Sequence, residues 1–199
     1  HERSFRPAVV FGAVRARGVE RAVFVGQSMG GYVALEVLKR HAEAVSGIVL
    51  FHSTPNPDSE EKKVQRRREI EIIESGKKEL LAKTFPGAGF APLNRIRFKD
   101  EIEDLAEQII RTEDEGIVAI LRGMCAREDL NGVLRESKVP QMAILGRYDE
   151  YITPDLAAKM IEAQPQMRVC WLEESGHMGF IEEAGKSAEA ILGFLDDVW

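Results

Sequence analysis

Ala22-Val23-Phe24-Val25-Gly26-Gln27-Ser28-Met29-Gly30-Gly31-Tyr32-Val33-Ala34-Leu35 is the stretch whose reading decides the fold. Its first four residues are apolar, β-branched or aromatic, the composition of a short strand buried on both faces. From Met29 an apolar stripe begins at helical spacing: Met29, Val33 and Val37 are four apart, as are Ala34 and Leu38, and the stripe ends near His41. Between strand and helix lies Gly26-Gln27-Ser28-Met29-Gly30, a G-x-S-x-G turn known as a nucleophile elbow. So sharp a turn strains the serine backbone and crowds its neighbours, which calls for glycine on both sides. The bend lifts the Ser28 hydroxyl clear and leaves it at a helix N-terminus, where the Met29 N–H points at a developing oxyanion. The spacing is that of neither a dinucleotide fingerprint nor a P-loop.

Outward from this turn, Ile48–Phe51, Met142–Leu145 and Val169–Leu172 repeat the strand composition. Helices are expected over Asp155–Ala163, opened by Pro154, and over Glu182–Val198. The first twenty residues are read as a helix from Pro7, against the strand propensity of Val9, Val10 and Phe11. Strand and helix alternate, which predicts an α/β fold with a mostly parallel sheet. Thr54–Lys138 differs, being dense in charge with a break at Pro86-Gly87-Ala88-Gly89, and reads as an inserted helical subdomain. Its charges nearly cancel, so Lys62-Lys63 and Arg66–Arg68 are expected on a solvated helix face.

A serine hydroxyl needs a base, and the base needs an acid to fix its tautomer. Of the four histidines, His1 is terminal, His41 ends a helix and His52 follows the second strand; only His177 sits in a glycine-flanked loop after a strand, Gly176-His177-Met178-Gly179. Asp149 follows the third strand, on the same edge of the sheet, where sites form in open α/β folds. Taken singly, such an Asp is as readily a turn cap and such a His merely hydrogen-bonded. Together they run in the order Ser28, Asp149, His177.

VFVGQSMGGYVAL (23–35), GRYDEYITP (146–154) and ESGHMGFIEEAG (174–185) give the segment from Val19 to His177 a resemblance to the α/β-hydrolase superfamily, in particular its small serine-esterase-like members. The resemblance implies Ser28 as nucleophile, His177 as general base then acid, Asp149 as the orienting acid and the Met29 N–H as one oxyanion donor, with Glu150 and Asp58 as fallback acids. It implies hydrolysis of a small, mostly apolar ester through an acyl-serine, a partial core of residues 1–53 and 139–199, and a helical cap over 54–138. A serine at the elbow is unlike the haloalkane dehalogenase and epoxide hydrolase branches, which use Asp there. Members of the superfamily begin with further strands and a His-Gly segment supplying a second oxyanion N–H, and no His-Gly pair occurs in this chain. The expectation is therefore a sheet whose N-terminal part is missing. The rival readings are an inert fragment or binding scaffold, and C–C bond hydrolysis, lactone opening or perhydrolysis by the same triad.

The composition sets the outer bounds. At 199 residues and 44% hydrophobic the chain has the material for one core, and a net charge of −6 gives no positive field for nucleic acid or an anionic membrane. Cys125 and Cys170 are too few for a disulfide framework and read as buried thiols. No His/Cys/carboxylate cluster has metal-ligand spacing, so neither metal nor cofactor is expected, and the partner is a small-molecule ester. No apolar run approaches the length of a membrane span. A cytoplasmic location is expected; residue 1 is His, so the natural start is expected upstream, where this stretch does not test for a signal peptide.

Overall fold

The computed structural model describes residues 7–199. Helix α1 (Pro7–Ala16) opens from Pro7 as read, and residues 1–6, His1 among them, lie outside the described residues. The four apolar runs are strands β1 (Ala22–Gln27), β2 (Val45–Phe51), β3 (Gln141–Gly146) and β4 (Arg168–Leu172), which form one parallel sheet in the order β1-β2-β3-β4. Val25 stands opposite Val49, which stands opposite Met142. Every residue of β2 and β3 is buried, whereas β1 and β4 are partly exposed at the two edges. That burial explains why the central strands are apolar without alternation.

Side chains nonetheless alternate between the two faces. Ile48, Leu50, Ala143 and Leu145 pack with Leu35, Val37 and Leu38 of α2 (Met29–Arg40) and with Ala157 and Met160 of a later helix. Val49, Phe51, Met142 and Ile144 face the other way, onto Leu172 and Phe194. The sheet is thus covered on both sides by helices, the doubly wound arrangement.

Between β2 and β3 lie α3 (Glu60–Glu74), α4 (Lys78–Gly89), α5 (Lys99–Arg111), α6 (Asp114–Cys125) and α7 (Asn131–Glu136). Ile70, Ile73, Leu81, Val118 and Leu121 give the inserted helices a small core of their own. The Pro86–Gly89 segment is not a break: α4 runs through it and ends at Gly89, with Pro86 buried inside the helix. The helix opened by Pro154 is α8 (Pro154–Ala163), whose N-cap Thr153 accepts from the Leu156 N–H.

The last expected helix is in fact two, α9 (Gly179–Glu182) and α10 (Ala184–Asp196), separated at Glu183, which has φ −130° and ψ 54°. Glu183 leaves the helix because its carboxylate is used elsewhere, accepting from the Glu174 N–H at 2.9 Å and from Ser175 Oγ at 2.6 Å. It pins the loop that follows β4. No helix among the described residues is long and apolar enough to cross a membrane.

Candidate active site

β1 ends and α2 begins on either side of Ser28, whose φ of +49° is a conformation that L residues adopt only under constraint. The constraint comes from two glycines. A Cβ on Gly26 would lie 2.5 Å from the Gly30 and Gly31 backbone, and one on Gly31 would collide with the Ser53 side chain. Glycine is thus required on both sides of the serine, but Gly30 has open space where its Cβ would be, so the tight position on the C-terminal side is Gly31 and not Gly30. Ser53, just past β2, donates from Oγ to the Ser28 carbonyl at 2.7 Å, and the Ser28 N–H donates to the Phe51 carbonyl at 2.8 Å. Met29 is the first residue of α2, so its N–H belongs to the opening turn, where no intrahelical acceptor exists.

Ser28 Oγ lies 2.8 Å from His177 Nε2, and His177 Nδ1 lies 2.8 Å from Asp149 Oδ2. The three residues singled out in the sequence are thus brought into one hydrogen-bonded line. The other oxygen of Asp149 accepts from the Tyr151 and Ile152 N–H groups at 2.8 and 2.9 Å. Asp149 is therefore a turn cap and a histidine partner at once, one function per oxygen. Burial would raise its carboxyl; the hydrogen bonds from His177 and His52 outweigh that and hold it well below the usual carboxylate range.

His52 is the residue that sequence reasoning passed over. It is fully buried at φ +47°, and its Nδ1 lies 3.1 Å from the same Asp149 Oδ2. The Gly179 N–H donates to His52 Nε2 at 3.2 Å, so that nitrogen carries the lone pair and Nδ1 carries the proton given to Asp149. Burial pushes the imidazole below its ordinary value and keeps it neutral, despite the aspartate beside it. The one signal for it lay far along the chain: a Cβ on Gly179 would come within 2.5 Å of His52 Nε2. His52, Asp149 and His177 offer ligand atoms within 4.8 Å of one another, a spacing a metal could use. The proton positions argue otherwise, since both ring nitrogens facing Asp149 are donors, and the three fit a hydrogen-bonded cluster.

The His177 loop is held from the inserted helices. The Gly89 carbonyl, at the end of α4, accepts from the His177 and Met178 N–H groups at 2.7 and 3.1 Å. Gly176 passes so close that a Cβ there would sit 2.7 Å from the Ala91 nitrogen. Glu182 completes the brace, accepting from the Gly176 N–H with one oxygen and from the Ala91 N–H and Asn94 Nδ2 with the other, each at 2.8 Å.

Ser28 and His177 open onto a cavity of about 840 Å³ whose wall includes Leu81, Phe85, Met124 and Tyr151. A second cavity of similar volume shares Tyr32 and Arg127 but contains none of the three aligned residues. Of the inserted segment's large apolar side chains, Phe85 and Met124 line the cavity, Phe90 is fully buried, and Leu93 and Ile96 are exposed. The fallback acids are engaged elsewhere: Glu150 pairs with Arg95 at 2.9 Å, and Asp58 is held by Arg66 and Arg127. The solvated-face reading of the α3 cations is corrected for Lys62 and Arg66, which line the cavity, while Arg67 and Arg68 are exposed. Cys125 and Cys170 are unpaired and half-buried, not buried.

The family model for Hydrolase_4, described as "Serine aminopeptidase, S33", matches residues 8–184. The chain belongs to this α/β-hydrolase family. Among curated relatives, a 2-hydroxy-6-oxononadienedioate/2-hydroxy-6-oxononatrienedioate hydrolase from a Pseudomonas species is 25% identical over 194 residues, covering 92% of this α/β-hydrolase and 66% of the relative. A pimeloyl-[acyl-carrier protein] methyl ester esterase from Vibrio atlanticus is 24% identical over 186 residues, covering 90% of this chain and 72% of its own. Among solved structures, a thermophilic esterase from Thermogutta terrifontis superposes with a TM-score of 0.88 at 25% identity, over 95% of this chain and 70% of the esterase. The α/β-hydrolase chain thus spans about two thirds of the length of the proteins it matches.

Proposed function

We propose that this chain carries the catalytic site of a serine hydrolase that cleaves a small, mostly apolar ester through an acyl-serine intermediate. The observation that supports it most is the line from Ser28 Oγ through His177 to Asp149, with 2.8 Å at each step. Ser28 Oγ attacks the carbonyl carbon as His177 Nε2 takes its proton. The C–O bond to the alcohol then breaks, and His177 returns the proton to the leaving oxygen. Water, giving a proton to the same nitrogen, attacks the acyl carbon; the acid leaves and Ser28 regains its hydrogen. Asp149 fixes the His177 tautomer and stabilises the imidazolium, and the Met29 N–H is one donor to the oxyanion.

Residues 54–138 serve as a cap in this reading, supported by a cavity lining drawn from α3, α4, α5 and α6. The likeness to a methyl ester esterase favours an ester. The likeness to a 2-hydroxy-6-oxononadienedioate hydrolase keeps a second reading, hydrolysis of such a compound by the same three side chains. The two unpaired cysteines favour a reducing compartment such as the cytoplasm.

The test is turnover of p-nitrophenyl acetate together with covalent labelling by a fluorophosphonate. Both should be present in the purified protein and lost in Ser28→Ala. A wild-type protein that neither turns over nor labels would instead favour the inert-scaffold reading.

A further inference from the structure

One face of α3 turns its charges toward the cavity. Lys62, Arg66, Glu69 and Ile73 follow each other at helical spacing, and all line the space that holds Ser28 and His177. The half-buried Lys62 ammonium donates to Gln65 Oε1 at 3.2 Å and stands 5.4 Å from the Tyr151 ring centroid, with no carboxylate at ion-pair distance among the described residues. The Tyr151 ring is in turn 4.8 Å from that of His177, so a single tyrosine separates this cation from the proposed base.

Arg127 adds a second cation. Its guanidinium pairs with Asp58 at 3.0 Å and lies 3.9 Å over the Tyr32 ring, and its Nε and Nη1 are buried, so it contributes charge to the cavity and not an accessible donor. Arg66 uses the same Asp58. Elsewhere in the lining, Lys78 is matched by Asp114 and Glu150 by Arg95. What remains is Lys62, Arg66 and Arg127 against Asp58 and Glu69. Burial raises the Glu69 carboxyl above its ordinary value, which weakens it as an anion, and burial with the Arg66 charge pushes the Lys62 ammonium down. An excess of cations in a wall that is mostly apolar is stabilised by a bound anion.

We propose that the cavity selects esters bearing a carboxylate beyond the scissile bond, received by Lys62, with Phe85, Ile117 and Met124 along the intervening chain. For its chemistry this rests on the serine-hydrolase reading; for its binding it does not. The carboxylate makes up the missing negative charge, and the apolar wall sets the spacing between it and the ester.

Monomethyl adipate and methyl hexanoate share an acyl length and differ in a terminal carboxylate. The purified protein should hydrolyse the first with kcat/KM about tenfold above the second, the gain lying in KM. Lys62→Met, which keeps the stem and removes the charge, should erase that preference, and Lys62→Glu should reverse it. Equal kcat/KM for the two esters, or a preference unchanged in both variants, overturns the proposal. Ser28→Ala protein supplies a readout independent of turnover, since calorimetric titration should find the carboxylate ester bound about tenfold more tightly. If the wild type hydrolyses neither ester while Ser28→Ala still binds with this selectivity, the catalytic reading fails and carboxylate selection stands. Non-selective binding there overturns carboxylate selection, whatever the turnover.

Discussion

His52 follows β2 in a left-handed conformation that few side chains tolerate, and its proton explains why the conformation is kept. Asp149 Oδ2 receives that proton as well as the one from His177, so a neutral imidazole with no path to the substrate holds the acid's position and charge. His52→Ala should lower kcat for a p-nitrophenyl ester by about tenfold, because the carboxylate loses one of two donors on that oxygen. His52→Asn should retain most of the rate: asparagine accepts positive φ and can present an N–H where Nδ1 was. Equal losses in the two variants would refute a donor role. The elbow offers a second contrast at this scale. Gly26→Ala puts a methyl group 2.5 Å from the Gly30 backbone and should destabilise the fold by about 3 kcal/mol. Gly30→Ala meets nothing within 4 Å and should change stability by less than about 1 kcal/mol, measured by urea denaturation.

Between elements, Glu182 carries the connection that keeps His177 in place. Its two oxygens take three N–H groups, from the loop after β4 and from the segment after α4, so one buried carboxylate joins the sheet edge to the inserted helices. Glu182→Gln turns one acceptor into a donor facing another donor and should cost about 1–3 kcal/mol in denaturant titrations, with a further fall in kcat as the His177 loop loosens. A neutral result would mean that Gly89 and the Gly176 close approach suffice. This connection also marks the limit of what the sequence discloses. β2 and β3 were legible because burial on both faces leaves an unbroken apolar run, and Ser28 because a strained turn demands glycine close by. Asp149 and His177 were legible as a pair, through their order and their places after β3 and β4. His52 has no flanking glycine, and the one that accommodates it, Gly179, is 127 residues away. The α3 cations show the same difficulty: their spacing is visible, yet whether Lys62 and Arg66 face water or a cavity depends on Asp58 and Arg127, which only the fold brings beside them. Glu183 reads as a good helix former and is one intrinsically, but tertiary hydrogen bonds to Glu174 and Ser175 outweigh that propensity.

For the molecule as a whole, the buried cluster makes stability depend on pH in two separate windows. His52 is held below its ordinary imidazole value, so it stays neutral in the folded protein at a pH where the unfolded chain already binds a proton. Stability from this group is full above about pH 6.5 and declines as pH falls below it, by up to about 1.4 kcal/mol per pH unit until the folded protein also takes up the proton. Asp149 acts lower down. Its folded carboxyl lies below the usual range, so its contribution is complete above about pH 4 and disappears only as pH falls through its folded value. His52→Asn has no imidazole to charge, so its unfolding free energy should fall less steeply than that of the wild type between about pH 7 and pH 5. Below about pH 4 the two should lose stability together, because both keep Asp149. Urea titrations of the two proteins across this range would read the difference directly. Parallel curves between pH 7 and 5 would mean that His52 is protonated as readily in the folded protein as in the unfolded chain, and that the tautomer fixed by the Gly179 N–H is not what holds Asp149.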